Sequence, residues 1–169
     1  MTDVLFDMIY KLTPEKELGK KTLFPGIDEI CWGIPTPKII YDICKFVETD
    51  DILEIGAGTG LWAKLLNLRG INIIATDIGE SGEYYNYNKT FYPIDIINGV
   101  DAIKKYKDYN VLLICWPPMN SIAYDCLNKF TGNKLIYIGE PKFGCTADDD
   151  FFELLDQEWK LFDSYLYKK

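Results

Sequence analysis

Glu54-Ile55-Gly56-Ala57-Gly58-Thr59-Gly60-Leu61 follows the apolar pair Ile52-Leu53 and precedes Trp62-Ala63-Lys64-Leu65-Leu66. The residues before it read as a buried strand ending at Gly56, and the apolar spacing after it predicts a helix over residues 59–68. Alternating glycines at such a junction permit positive φ and let a ligand approach the backbone where a Cβ would collide. The loop lacks the Gly-Lys-Ser/Thr ending of a P-loop. Gly58-Thr59-Gly60-Leu61-Trp62-Ala63 does fit the G-x-G-x-x-A form of a dinucleotide loop, with Asp77 ending the next strand. A tight turn alone rarely needs three glycines.

Working outward, strand and helix signals alternate. Thr36 is suited to cap a helix and Pro37 to open it, ahead of Ile39, Ile40, Ile43, Phe46 and Val47 at helical spacing. Strands are expected over residues 71–76, 91–94, Val111–Cys115, Lys134–Ile138 and 160–167, with helices over 100–106, 121–130 and 148–155. Continuous apolar runs such as Val111-Leu112-Leu113-Ile114 suit strands covered on both faces. The pattern predicts an α/β fold with a mainly parallel sheet of about six strands. Residues 1–35 form a lead-in with a short amphipathic helix near 4–12, and residues 36–169 form the domain. Residues 79–92, with Tyr84, Tyr85, Tyr87, Phe91 and Tyr92, are expected to be loop.

Composition narrows the chemistry. The 169 residues contain no histidine, which removes Ser-His-Asp and Cys-His catalytic units and imidazole shuttles. Twenty-six acidic against 18 basic residues give a net charge of −8, which disfavours binding long nucleic acid by phosphate neutralisation. The clusters Lys16, Lys20, Lys21 and Lys104, Lys105, Lys107 are expected to be solvated faces. Five dispersed cysteines suit neither a disulfide framework nor a zinc knuckle, and no metal site is expected. No apolar run approaches membrane-spanning length, and the opening residues lack a basic signal-peptide region. A cytoplasmic or nucleocytoplasmic protein is expected.

Glu54-x-Gly56-x-Gly58-x-Gly60 resembles the first motif of class I S-adenosylmethionine (SAM) dependent methyltransferases. The resemblance implies a Rossmann-like sheet whose loop, Glu54, Gly56, Ala57, Gly58 and Gly60, passes near the amino-acid end and ribose of SAM. It also implies that Asp77 holds the ribose hydroxyls and that Asp95-Ile96, after the third strand, meets adenine. Cys31-Trp32-Gly33-Ile34-Pro35, Cys115-Trp116-Pro117-Pro118 and Gly139-Glu140 with Gly144-Cys145-Thr146-Ala147-Asp148-Asp149 look like a small subset of this class, and the similar segments span about residues 30–157. Such folds usually close with an antiparallel hairpin. The few residues from 157 onward suit one strand, so a shortened sheet is expected, with an open edge for residues 1–35 or a second subunit to cover.

Many amino-group methyltransferases end the fourth strand with Asn or Asp, then Pro-Pro and an aromatic. Trp116-Pro117-Pro118-Met119 departs at both outer positions, so the usual amine-polarising group is missing. Trp116 offers a face for stacking or for a cation, Pro117 a carbonyl, and Glu140 a carboxylate at the end of the fifth strand. Thr146, with Asp149 three residues on, reads as a capping box. The resemblance implies a SAM-dependent methyltransferase, and a small molecule or protein side chain is the expected acceptor. The alternatives are a catalytically inactive SAM-binding or partner-binding protein, a nucleic-acid or cap methyltransferase, and a nicotinamide-dependent oxidoreductase.

Overall fold

The structure is a computed structural model that describes residues 31–79, 90–163 and 165–168. The expected helix at 4–12, the first lysine cluster and Tyr84, Tyr85 and Tyr87 lie outside the described residues. The described elements are α1 (Pro37–Val47), β1 (Ile52–Ile55), α2 (Leu61–Asn67), β2 (Ile73–Asp77), β3 (Ile94–Ile96), α3 (Gly99–Lys105), β4 (Val111–Cys115), α4 (Ile122–Lys129), β5 (Lys134–Ile138), α5 (Asp149–Glu158), β6 (Lys160–Asp163) and β7 (Leu166–Lys168). The sheet order is β3-β2-β1-β4-β5-β7-β6. Strands β1 to β5 pair in parallel, and β7 runs antiparallel to both β5 and β6.

Period-two alternation divides the apolar strand residues between two cores. Ile52, Val111, Leu113 and Ile136 pack with α1 and α2 through Ile40, Ile43, Leu65 and Leu66. Leu53, Leu112, Ile114 and Leu135 pack with α3, α4 and α5 through Ala102, Leu127 and Phe151. Each such fully buried Leu or Ile stabilises the fold by about 1.5–3 kcal/mol. Glu54 shares a strand face with Ile52, so the alternation drives a carboxylate into the α1–α2 core, where it is buried.

Helix α1 starts as the sequence predicts: Thr36 Oγ1 accepts the Ile39 N–H at 3.2 Å, with Pro37 in the first turn. Several elements differ from expectation. The third strand lies later, at Ile94–Ile96, so Asp95 and Ile96 are inside it rather than after it. Helix α5 is capped by Asp148, whose carboxylate accepts the Phe151 N–H at 3.0 Å. Thr146 is unavailable for that role because its hydroxyl accepts the Glu140 N–H at 2.7 Å and bonds the Tyr137 hydroxyl at 2.8 Å.

The sheet has seven strands, not six. The expected single strand over 160–167 doubles back, and four residues plus three make the closing hairpin. The Tyr165 hydroxyl donates to Asp42 on α1 at 2.9 Å, and the Phe46 and Phe162 rings pack at 5.5 Å, which pins the hairpin to α1. Strand β6 is the outer edge and is exposed throughout. Among the described residues no helix is long and apolar enough to cross a membrane.

Candidate functional site

The strand order reverses between β1 and β4, and at their carboxyl ends a cavity of about 390 Å³ opens. Doubly wound sheets bind ligands at this switch point. The wall comprises Gly56 and Gly58 after β1, Asp77 and Ile78 at β2, Ile97 after β3, and Trp116, Pro117 and Pro118 after β4. A smaller cavity of about 30 Å³, room for one water-sized group, adjoins it through Gly56, Gly58, Cys115 and Trp116. Glu54, Ala57, Cys31, Trp32 and Trp62 complete that recess.

All three loop glycines are left-handed, with φ of 70° at Gly56, 55° at Gly58 and 73° at Gly60. The third explains why α2 begins at Leu61, two residues later than predicted: Gly60 occupies the cap position with a non-helical backbone. A Cβ at Gly56 would meet nothing within 4 Å, so this glycine faces open space. A Cβ at Gly60 would fall 3.0 Å from Tyr92 Cβ, so that glycine serves close packing.

Asp77 is buried and braces the loop. One oxygen accepts the Gly58 N–H at 2.9 Å and the other the Gly79 N–H at 3.0 Å. Glu54 is buried as well. Burial pushes its carboxyl up to about 8, the nearby Asp77 charge adding to this and a hydrogen bond from the Ala63 N–H opposing it. That N–H is one of those left without a helical partner in the first turn of α2. Glu54 Oε2 has no hydrogen-bond partner among the described residues. A buried carboxyl oxygen without a partner costs on the order of 1–3 kcal/mol, which a bound donor would recover.

Other expected site residues stand elsewhere. Asp95 is outside the cavity, and its carboxylate accepts from Lys105 Nζ and the Tyr106 hydroxyl, both at 2.6 Å. Ile96 is exposed and covers Gly79. Ile97 and Ile78 supply the apolar wall instead. Lys104 and Lys105 pair with Asp101 and Asp95, so the second lysine cluster is largely neutralised.

Glu140 does not line the cavity: its Oε2 accepts the Cys145 N–H and closes the loop after β5. Trp116 lines both cavities and holds a left-handed backbone, φ 52°. Its N–H donates to the Ile138 carbonyl at 2.6 Å. The Pro117 carbonyl already accepts the Ala147 N–H at 3.2 Å and the Pro118 carbonyl the Asn120 N–H at 2.8 Å, leaving each one further lone pair. Among the described residues Asp77 is the one charged side chain in the wall of the larger cavity. Among the described residues no group of three or more metal-ligating side chains converges.

Sequence reasoning missed the role of Gly33. Its carbonyl accepts the Trp62 indole N–H at 2.9 Å and the Cys31 thiol at 2.5 Å. A Cβ there would fall 2.8 Å from Cys115 Sγ.

No protein-family model and no curated protein sequence matches the chain. Among solved structures it is similar to a protein of the NADB-Rossmann superfamily from Streptococcus agalactiae. That likeness has a TM-score of 0.55 at 12% identity, over 81% of this chain and 70% of that one. It also matches a Streptococcus pneumoniae protein described as a tRNA (m1A22) methyltransferase, in complex with S-adenosyl-L-methionine. There the TM-score is 0.46 at 17% identity, over 78% and 69% of the two chains. With the seven-stranded order, the first likeness makes the fold Rossmann-like, as the glycine loop implied.

Proposed function

We propose that this chain binds SAM in the switch-point cavity and transfers its methyl group to a small molecule or a protein side chain. The observation that carries the reading is Glu54 Oε2, a buried carboxyl oxygen without a partner among the described residues, beside a recess the size of an ammonium group. Gly56 supports it, because the space a Cβ would fill stands open next to that recess. Glu54 would receive the cofactor's ammonium, Asp77 the ribose hydroxyls, and Gly56, Ala57, Gly58 and Gly60 would pass along the chain between them. Ile78 and Ile97 would flank the adenine in place of Asp95 and Ile96. When bound, SAM supplies a methyl group on a sulfonium, an electrophile that needs an aligned lone pair more than acid–base help.

Asp77 already accepts two backbone N–H groups, so among the described residues the cavity wall offers no uncommitted base. The acceptor therefore arrives with its lone pair available, and Trp116 and Pro117 would orient it rather than deprotonate it. Absence of histidine fits such a site.

Calorimetric titration with SAM and, separately, NAD tests this. SAM binding that is lost in both Gly58→Arg and Asp77→Ala supports the reading, whereas binding of NAD alone sinks it. Incorporation of a labelled methyl group into peptide or metabolite pools then tests transfer. Binding without turnover is the second reading, favoured by the already hydrogen-bonded Pro117 and Pro118 carbonyls and by the turned-away Glu140.

A further inference from the structure

We propose that the groove between Met119 and Phe143 docks a polypeptide segment carrying lysine or arginine beside an exposed apolar residue. This groove, also about 390 Å³, is lined by Met119, Phe143, Ala147 and Phe152, with Asp148 and Asp149 at one side. Phe143 is 87% exposed and Met119 65%. Leaving a phenylalanine in water forgoes about 1.5–3 kcal/mol of burial. Its left-handed backbone, φ 75°, costs roughly 1–2 kcal/mol more.

The loop holding Phe143 outward is braced. Thr146 Oγ1 takes the Glu140 N–H, Glu140 Oε2 takes the Cys145 N–H, and the Gly144 N–H donates to the Pro141 carbonyl at 2.9 Å. Gly144 packs so closely on Glu140 that a Cβ there would fall 2.4 Å from the Glu140 Cβ. The aromatic ring is thus presented by a fixed loop.

Charge selects the occupant. Asp148 and Asp149 line the groove, exposed Asp150 follows them, and the chain carries a net charge of −8. Lys142 is the nearby opposing charge, its Nζ 5.9 Å from the Phe143 ring centre. An apolar floor with an acidic side complements a cationic, partly apolar peptide and repels a phosphate backbone. The linings of the groove and the switch-point cavity are neighbours, because Met119 follows Pro117-Pro118 and the Ala147 N–H bonds the Pro117 carbonyl. That the docked segment is also the methyl acceptor rests on the proposed SAM site; docking itself does not.

The test is fluorescence anisotropy of the full chain with three labelled probes: a peptide alternating lysine and leucine, its glutamate–leucine counterpart, and a single-stranded RNA. The lysine peptide is expected to bind and the glutamate peptide not to. Phe143→Asn, which tolerates the left-handed backbone, and Asp148→Asn, which retains the helix cap, should each weaken binding about tenfold. Leu161→Asn, an exposed apolar position on β6, should change nothing. Equal binding of both peptides, a preference for RNA, or unchanged affinity in both groove variants overturns the proposal. SAM is titrated into the same samples. Peptide binding absent with SAM binding intact removes the docking site alone, and the converse removes the SAM reading alone.

Discussion

The carboxylate of Asp77 reaches from the end of β2 to the loop after β1 and accepts the Gly58 N–H at 2.9 Å. Its second oxygen holds Gly79, so one side chain fixes the two backbone turns that border the cavity. Hydrogen bonds to a charged group contribute about 1.5–3 kcal/mol each. Asp77→Ala should therefore lower the unfolding free energy by about 2 kcal/mol or more and weaken SAM binding at least about tenfold. Denaturant unfolding and calorimetry measure the two effects. An Asp77→Ala protein with undiminished SAM affinity would take Asp77 out of the cofactor site.

Gly56 and Gly60 should respond differently to the same methyl group. Both have left-handed φ, so alanine costs about 1–2 kcal/mol in backbone strain at either. At Gly60 the new Cβ also meets Tyr92 Cβ at 3.0 Å and Tyr92 N at 3.3 Å, whereas at Gly56 it meets nothing. Gly60→Ala should thus be the less stable protein, by about 1 kcal/mol or more, and Gly56→Ala the one that loses more SAM affinity. Thermal melts paired with SAM titrations separate them; the reverse ranking in both would contradict the loop geometry.

Glu54 gives stability a pH dependence opposite in sign to that of most acids. Folded, its carboxyl is pushed up to about 8, first by burial, against an ordinary value of 4.5. Between these values the folded chain holds a proton that the unfolded chain has released, so stability falls as pH rises. The contribution is complete below about pH 4.5 and gone above about pH 8. Asp42 and Asp50, held low by bonds to Lys38 and Lys134, act oppositely and only below their ordinary value of 3.8. Glu54→Gln should flatten the melting-temperature profile between pH 5 and 8. SAM binding near neutral pH should release a proton from Glu54, read as a buffer-dependent binding enthalpy that the Gln variant lacks.

Thiol reactivity should follow exposure. Cys145 is exposed, while burial pushes the Cys31 and Cys126 thiols up to about 12 and Cys115 well above its ordinary value. Iodoacetamide on the native protein should label Cys145 ahead of those three, as peptide mapping by mass spectrometry would report. Early labelling of Cys115 would mean that the recess beside Glu54 opens in solution.

The central architecture was legible because its signals are local. The limits of β4 follow from an uninterrupted apolar run, those of β1 and β5 from short, mainly apolar runs bounded by turn residues, and the start of α1 from Thr36 and Pro37. What the sequence concealed depends on partners distant along the chain. Thr146 looks like a cap until Tyr137 and the Glu140 N–H claim its hydroxyl. Asp95 looks like a ligand group until α3 brings Lys105 and Tyr106 to it. The hairpin was misread as one strand because β7 is only three residues long and is stabilised by pairing with β5. The glycine motif marked the loop that lines the switch-point cavity, but the oxygen of Glu54 without a described partner is visible only once α2 and the Gly33 segment surround it.

The Gly33 carbonyl, which gathers the Trp62 indole and the Cys31 thiol, sets where the protein can be shortened. A chain beginning at Thr36 would leave the buried Trp62 N–H without its acceptor and strip Cys31 and Trp32 from the recess that contains Glu54. Any trimmed version that is to keep the recess around Glu54 must therefore begin ahead of Cys31.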